Sequence, residues 1–163
     1  MLISIAACKA KTPNQEQIID EQEQLQADEP VDVDLYKAGE WITDYELALS
    51  AAKETNKPIL INFTGSDWCI WCKRLQKEVF AENEFIEYAK SNLILLKLDF
   101  PRNIKQTEKE KAQNDALAKQ YGIQGFPTIV LLSSNGKEIT RTGYQEGGPK
   151  KYVAHLQSLL ASN

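Results

Sequence analysis

The chain has 163 residues, 42% of them hydrophobic and 26% charged, with a net charge of -4. That suits one well-cored domain and is short for two. The acidity is local: residues 9–40 hold nine acids against three bases, whereas residues 41–163 hold fourteen against sixteen. No concentrated basic patch offers a surface for nucleic acid, so that partner class is excluded.

Taken in chain order, residues 1–8 read as a shortened signal-like segment. Ile5-Ala6-Ala7-Cys8 resembles a bacterial lipobox, with a branched apolar residue and two small ones before the cysteine that would carry lipid. Met1–Ser4 is too short for a signal core and has no positive region before it. Residues 9–40 are rich in Gln, Glu and Asp, contain Pro13 and Pro30, and lack the apolar surface to fold alone, so they read as a solvated tether. Elsewhere no run approaches the ~20 apolar residues of a membrane span. The lipid on Cys8 is therefore the expected membrane contact.

From residue 41 the texture becomes that of a folded domain, expected over 41–163. A short strand around Trp41 precedes a helix through Leu47 and Ala51, with Thr43 or Asp44 as its N-cap and Asn56-Lys57-Pro58 as its stop. Ile59–Phe63 reads as a buried strand. A helix from Cys69 follows, with a break near Glu82-Asn83 and a second piece over 84–90. Leu93–Phe100 is another buried strand. Thr107-Glu108-Lys109-Glu110 matches a capping box, and its helix runs towards Tyr121 with Gly122 as terminator. Thr128–Leu132 and Glu138–Thr142 flank the hairpin signal Ser134-Asn135-Gly136. Pro149 opens a last helix with Tyr152, Val153, Leu156 and Leu159 available for the core. The order implies an α/β fold with a mixed sheet covered by helices on both faces.

The chemistry concentrates in Cys69-Ile70-Trp71-Cys72, set between the first buried strand and its helix. Two thiols three residues apart at a helix start can close a disulfide, and the first sits where free backbone N–H groups and the helix dipole favour a thiolate. Zinc is a competing reading, but it needs a second ligand pair, and only His155 and Cys8 remain. Covalent haem needs a histidine where Lys73 stands. A structural disulfide stays open as an alternative, although so small a loop restrains little chain.

Phe63-Thr64-Gly65-Ser66-Asp67-Trp68-Cys69-Ile70-Trp71-Cys72-Lys73, with Gly125-Phe126-Pro127-Thr128 much later, resembles the thioredoxin superfamily over about residues 41–161. The similarity is to exported bacterial thioredoxin-like proteins and to the periplasmic domain of thiol:disulfide interchange proteins. It implies a thioredoxin-like fold and a thiol–disulfide oxidoreductase, a reductase of protein disulfides in the periplasm or cell envelope rather than the cytoplasm. It implies Cys69 as exposed nucleophile, Cys72 as buried resolving thiol and Pro127 as a cis-proline facing them. Phe126, Trp68 and Trp71 would contact an extended substrate. No cofactor or metal is expected beyond the Cys69–Cys72 disulfide. The implied partners are disulfide-bearing proteins or peptides and a membrane electron donor, the chain acting as a monomer. The competing function is a redox-inactive peptide-binding module. One departure stands out: the family often keeps a buried acid where this chain has Asn62, which cannot take a proton from Cys72. Water, Asp67 or a lysine would have to serve.

Overall fold

The computed structural model describes residues 36–161. Cys8, the signal-like segment and nearly all of the expected tether lie outside them. Five strands form one mixed sheet: β1 (Trp41–Ile42), β2 (Ile59–Thr64), β3 (Ile94–Asp99), β4 (Thr128–Leu132) and β5 (Glu138–Thr142). Their spatial order is β1-β3-β2-β4-β5, parallel across β1, β3 and β2 and antiparallel from β2 to β5. The helices are α1 (Tyr45–Thr55), α2 (Ile70–Leu75), α3 (Asn83–Asn92), α4 (Glu108–Gln120) and α5 (Gly148–Ala161). This is the α/β fold with a mixed sheet that the order of elements implied, in the thioredoxin arrangement that the resemblance implied.

The inner strands are largely apolar because both faces are covered; every residue of β2 is buried, Asn62 and Thr64 included. Alternation then divides their side chains between two cores. Ile61, Phe63 and Leu96 face α1 and Leu117 of α4. Leu60, Leu95 and Leu131 face the other layer, where Leu75, Phe80, Phe85 and Tyr152 pack. Tyr36, the first described residue, packs against the α1 side and donates its hydroxyl to the Leu93 carbonyl at 3.5 Å.

Local signals set most boundaries. Asp44 caps α1, its Oδ1 accepting the Leu47 N–H at 3.0 Å, and Asn56 ends it in the left-handed conformation. Gly122 ends α4 at φ 58°, where a side chain would be strained. Two expectations need correction. The capping box at Thr107 is half made: Thr107 Oγ1 accepts the Glu110 N–H at 3.1 Å, but the Glu110 carboxylate turns to the Gln106 amide at 3.0 Å. Gln106 competes successfully because the same amide also donates to the Asp99 carbonyl. The helix from Cys69 is also not uniform. Cys69 caps it, Ile70 begins it, and Gln76–Phe80 form a π-helical turn closed by Ala81 N–H to Gln76 O at 2.8 Å. The wider turn brings consecutive Val79 and Phe80 both into the core.

Leu96 is fully buried at the centre of the sheet, opposite Ile61 on one side and Ile42 on the other. Leu96→Ala should therefore cost about 2–5 kcal/mol, as buried leucine truncations do. Urea unfolding followed by circular dichroism should show a lower midpoint with an unchanged slope.

Candidate active site

The site begins where β2 ends. A Cβ on Gly65 would lie 2.5 Å from Trp68 Cε2, so only glycine leaves room for the indole. The next residue is tied across the sheet: Asp99, at the end of β3, accepts the Ser66 N–H at 2.9 Å and the Ser66 hydroxyl at 2.6 Å. Asp67 then reaches to the loop after β3, accepting the backbone N–H of Arg102 at 3.0 Å and of Asn103 at 2.6 Å. The Arg102 N–H leads the hydrogen bonds that hold its carboxyl below the ordinary aspartate value. Trp68 completes the bracing, donating Nε1–H to the Phe100 carbonyl at 2.8 Å.

That frame presents the two cysteines. Cys69 and Cys72 are joined by a disulfide with their Cα atoms 5.3 Å apart. Cys69 is the N-cap of α2, and its Sγ accepts the Cys72 N–H at 3.2 Å. The Cys72 N–H and the helix dipole thus converge on the sulfur that would carry charge in the reduced state. On the opposite side the Phe126 carbonyl oxygen stands 3.6 Å from Cys69 Sγ, and the Phe126–Pro127 peptide bond is cis. The expected contrast in access is corrected: Cys69 is 6% exposed and Cys72 4%.

The two tryptophans have different settings. Trp68 is half-buried, edge-on to Phe126 at 5.8 Å, and the Arg102 guanidinium lies 4.0 Å above its ring. Phe126 also packs on Phe100 at 5.1 Å. Trp71, between the cysteines, is 47% exposed. Its ring is 5.5 Å from Tyr144, and the Arg74 guanidinium stands 5.1 Å from both ring centres. Glu78 closes the cluster, accepting Arg74 Nε–H at 2.9 Å and the Tyr144 hydroxyl. Arg74 and Glu78 carry an i,i+4 spacing that was legible in the sequence. Tyr144, which arrives from beyond β5, carried no such signal. Phe100 and Arg102 were equally hidden, because the chain turns after β3 to reach the motif.

Behind Cys72 lies a cavity of about 550 Å³, lined by Trp41, Asn62, Cys72, Lys77 and Lys97 among others. Asn62 is 4% exposed, and its Oδ1 has no hydrogen-bond partner among the described residues. Asp67, one of the expected proton acceptors, is committed to the loop at 102–103. Lys73 spends its ammonium on the Asp67 carbonyl at 2.8 Å. Lys97, opposite Asn62 in the sheet, lines the same cavity as Cys72. Among the described residues no group of three or more His, Cys, Asp or Glu side chains could hold a metal ion. His155 instead bonds Thr142 Oγ1 through Nε2 at 2.8 Å.

A family model for a thioredoxin-like domain matches residues 45–159. Disulfide bond reductase DsbH of Chlamydia pneumoniae is 38% identical over 116 residues, which cover 71% of this chain and 70% of that protein. Thiol:disulfide interchange protein DsbD of Pseudoalteromonas atlantica is 29% identical over 122 residues, covering 73% of this chain but 19% of DsbD. A solved structure of a DsbH oxidoreductase superposes with a TM-score of 0.72 at 31% identity, covering 87% of this chain and 99% of its own.

The cluster on Trp71 should respond to acid. The Tyr144 hydroxyl first, then the Arg74 guanidinium, hold the Glu78 carboxyl below its ordinary value. A carboxyl lowered on folding contributes above its unfolded pKa and loses that contribution as pH falls through the folded one. The fluorine resonance of 5-fluorotryptophan at position 71 should therefore shift at a pH below the ordinary glutamate range. Glu78→Gln should remove that transition, and its persistence in the variant would show that Glu78 does not hold Trp71.

Proposed function

The chain belongs to the thioredoxin-like domain family and is a thiol–disulfide oxidoreductase, and we propose that it works as a reductase of protein disulfides in the cell envelope. The observation that carries the reading is the Cys69–Cys72 disulfide capping α2 beside the Phe126 carbonyl. In the reduced protein Cys69 is the thiolate. It attacks one sulfur of a substrate disulfide, forming a mixed disulfide and releasing the first substrate sulfur as a thiolate. Cys72 gives up its proton, attacks Cys69 Sγ and releases the second substrate sulfur. Two electrons pass from the dithiol to the substrate, and the protein is left with its internal disulfide. A dithiol donor, which we place in the membrane, restores it.

The surrounding residues take positioning roles. Backbone groups of Phe126, held in place by Pro127, pair with an extended substrate as an added strand. Trp68 and Trp71 flank the reacting sulfurs and exclude water from them. The direction of electron flow rests on two supports: the Ile70-Trp71 dipeptide lacks a histidine to hold the thiolate, and the similar Chlamydia protein is named a reductase. With Asn62 in place of an acid, the cavity shared by Cys72 and Lys97 offers the proton of Cys72 its way out. The same reading assigns residues 1–8 to a signal-like segment lipidated at Cys8, residues 9–40 to a tether, and residues 41–163 to a monomeric catalytic domain.

Insulin turbidity with dithiothreitol as electron source tests the activity. Wild type should reduce insulin, and Cys69→Ser should lower the rate to background. Cys72→Ser should accumulate substrate mixed disulfides that gel electrophoresis without reductant resolves. Equal inertness of wild type and Cys69→Ser, with no trapped species, would favour a binding module without turnover.

A further inference from the structure

Among the described residues the exposed large hydrophobic side chains are Ile70, Trp71 and Ile104, at 68%, 47% and 57%. Ile70 and Trp71 lie in the motif itself. Ile104 lies thirty-three residues beyond Trp71, in the loop after β3, and the tertiary structure brings that loop to the motif. Asp67 holds the backbone of Arg102 and Asn103, Trp68 holds Phe100, and the Arg102 guanidinium lies over the ring of Trp68, the neighbour of Cys69. The loop is thus an extension of the surface around the disulfide, with one apolar residue at its exposed tip.

Its charge is one-sided. Arg102 and Lys105 are exposed, and neither forms an ion pair among the described residues. Lys73, beside Cys72, gives its ammonium to a neutral carbonyl. Arg74 is neutralised by Glu78. The acids beside the loop are engaged elsewhere: the Asp67 oxygens accept the loop backbone, and the Glu110 carboxylate accepts the Gln106 amide. A guanidinium held over an indole by a cation–π contact still has N–H donors for a further partner, and a carboxylate suits them. That contact also holds the group in position before a partner arrives, which reduces the ordering cost of binding.

We propose that the loop over residues 100–106 is a docking arm that selects protein disulfides whose reactive cysteine is flanked by an acidic and an apolar residue. Arg102 takes the carboxylate, assisted by Lys105, and Ile104 takes the apolar side chain. Because Arg102 lies over the residue next to Cys69, the acid belongs within roughly four positions of the substrate cysteine, given about 3.3 Å per extended residue. The inference rests on the reading above that protein disulfides are the substrates. It adds a sequence preference that the CxxC motif and Phe126 do not supply.

Binding is tested without turnover, so that the two readings fail separately. Fluorescent peptides with serine at the reactive position, flanked by Asp-Leu or by Lys-Leu, are titrated into the oxidised protein and Kd is read by anisotropy. The acidic peptide should bind about tenfold more tightly at low salt, a ratio that shrinks as ionic strength rises. Arg102→Glu should invert the order, Arg102→Lys should keep its sign at reduced size, and Ile104→Ser should weaken both peptides alike. Circular dichroism of each variant confirms the fold. Equal affinity of wild type for the two peptides, or a ratio unmoved by Arg102→Glu, would overturn the docking arm. Turnover of hydroxyethyl disulfide, small and uncharged, reports on the reductase reading alone.

Discussion

The Asp99 carboxylate is the constraint on which the site depends. It is 7% exposed at the end of β3, and it receives both the N–H and the hydroxyl of Ser66. Its own carbonyl receives the amides of Asn114 and Gln106. One residue therefore joins β3, the loop before the cysteines, the loop before α4 and the middle of α4. Without the two Ser66 donors the buried carboxylate would keep only Lys97, 3.9 Å away, so the loop has a strong reason to stay where Ser66 puts it. Everything that presents Cys69 is built outward from that fixed point.

From there, bracing passes from one side chain to the next. Gly65 admits the Trp68 indole, Trp68 fixes the Phe100 carbonyl, and Asp67 fixes the backbone two residues later. Phe126 packs against Trp68 and Phe100 together, which positions its carbonyl over Cys69. The reacting sulfur is held between a helix end and a backbone carbonyl that come from distant parts of the chain. Rigid support of this kind is what thiol exchange needs, since attack requires the incoming sulfur to approach along one line. Trp71 is supported differently, by a charged cluster open to solvent, so acid and salt act on it more readily than on Trp68.

Asn62 shows how one substitution changes the character of a buried site. On a fully buried strand, an asparagine keeps the shape of an aspartate but neither its charge nor its proton affinity. The cavity beside it is lined instead by lysine stems, with Lys97 directly opposite in the sheet. Asp67 had looked available in the sequence because it stands beside the motif. In the fold it is spent on holding the loop at 102–103.

Local chemistry explains why so much was legible. Asp44, Thr107 and Gly122 act through hydrogen bonds or backbone angles within a few residues, so they speak through sequence alone. The apolar runs of β2 and β3 say that they are buried, and Cys69 and Cys72 are brought together by helical spacing. Contacts that close long loops leave no such trace. Tyr144 meets Glu78 across sixty-six residues, Arg102 meets Trp68 across thirty-four, and the π-helical turn at 76–80 follows from how the helix packs. The sequence by itself determined the α/β class and the place of the two cysteines at a helix start, because those depend on periodicity and short spacing. Only the tertiary structure decided what surrounds the disulfide, because the Asp99 anchor, the arginines on the two indoles and the cavity behind Cys72 exist only once the sheet brings separate segments together.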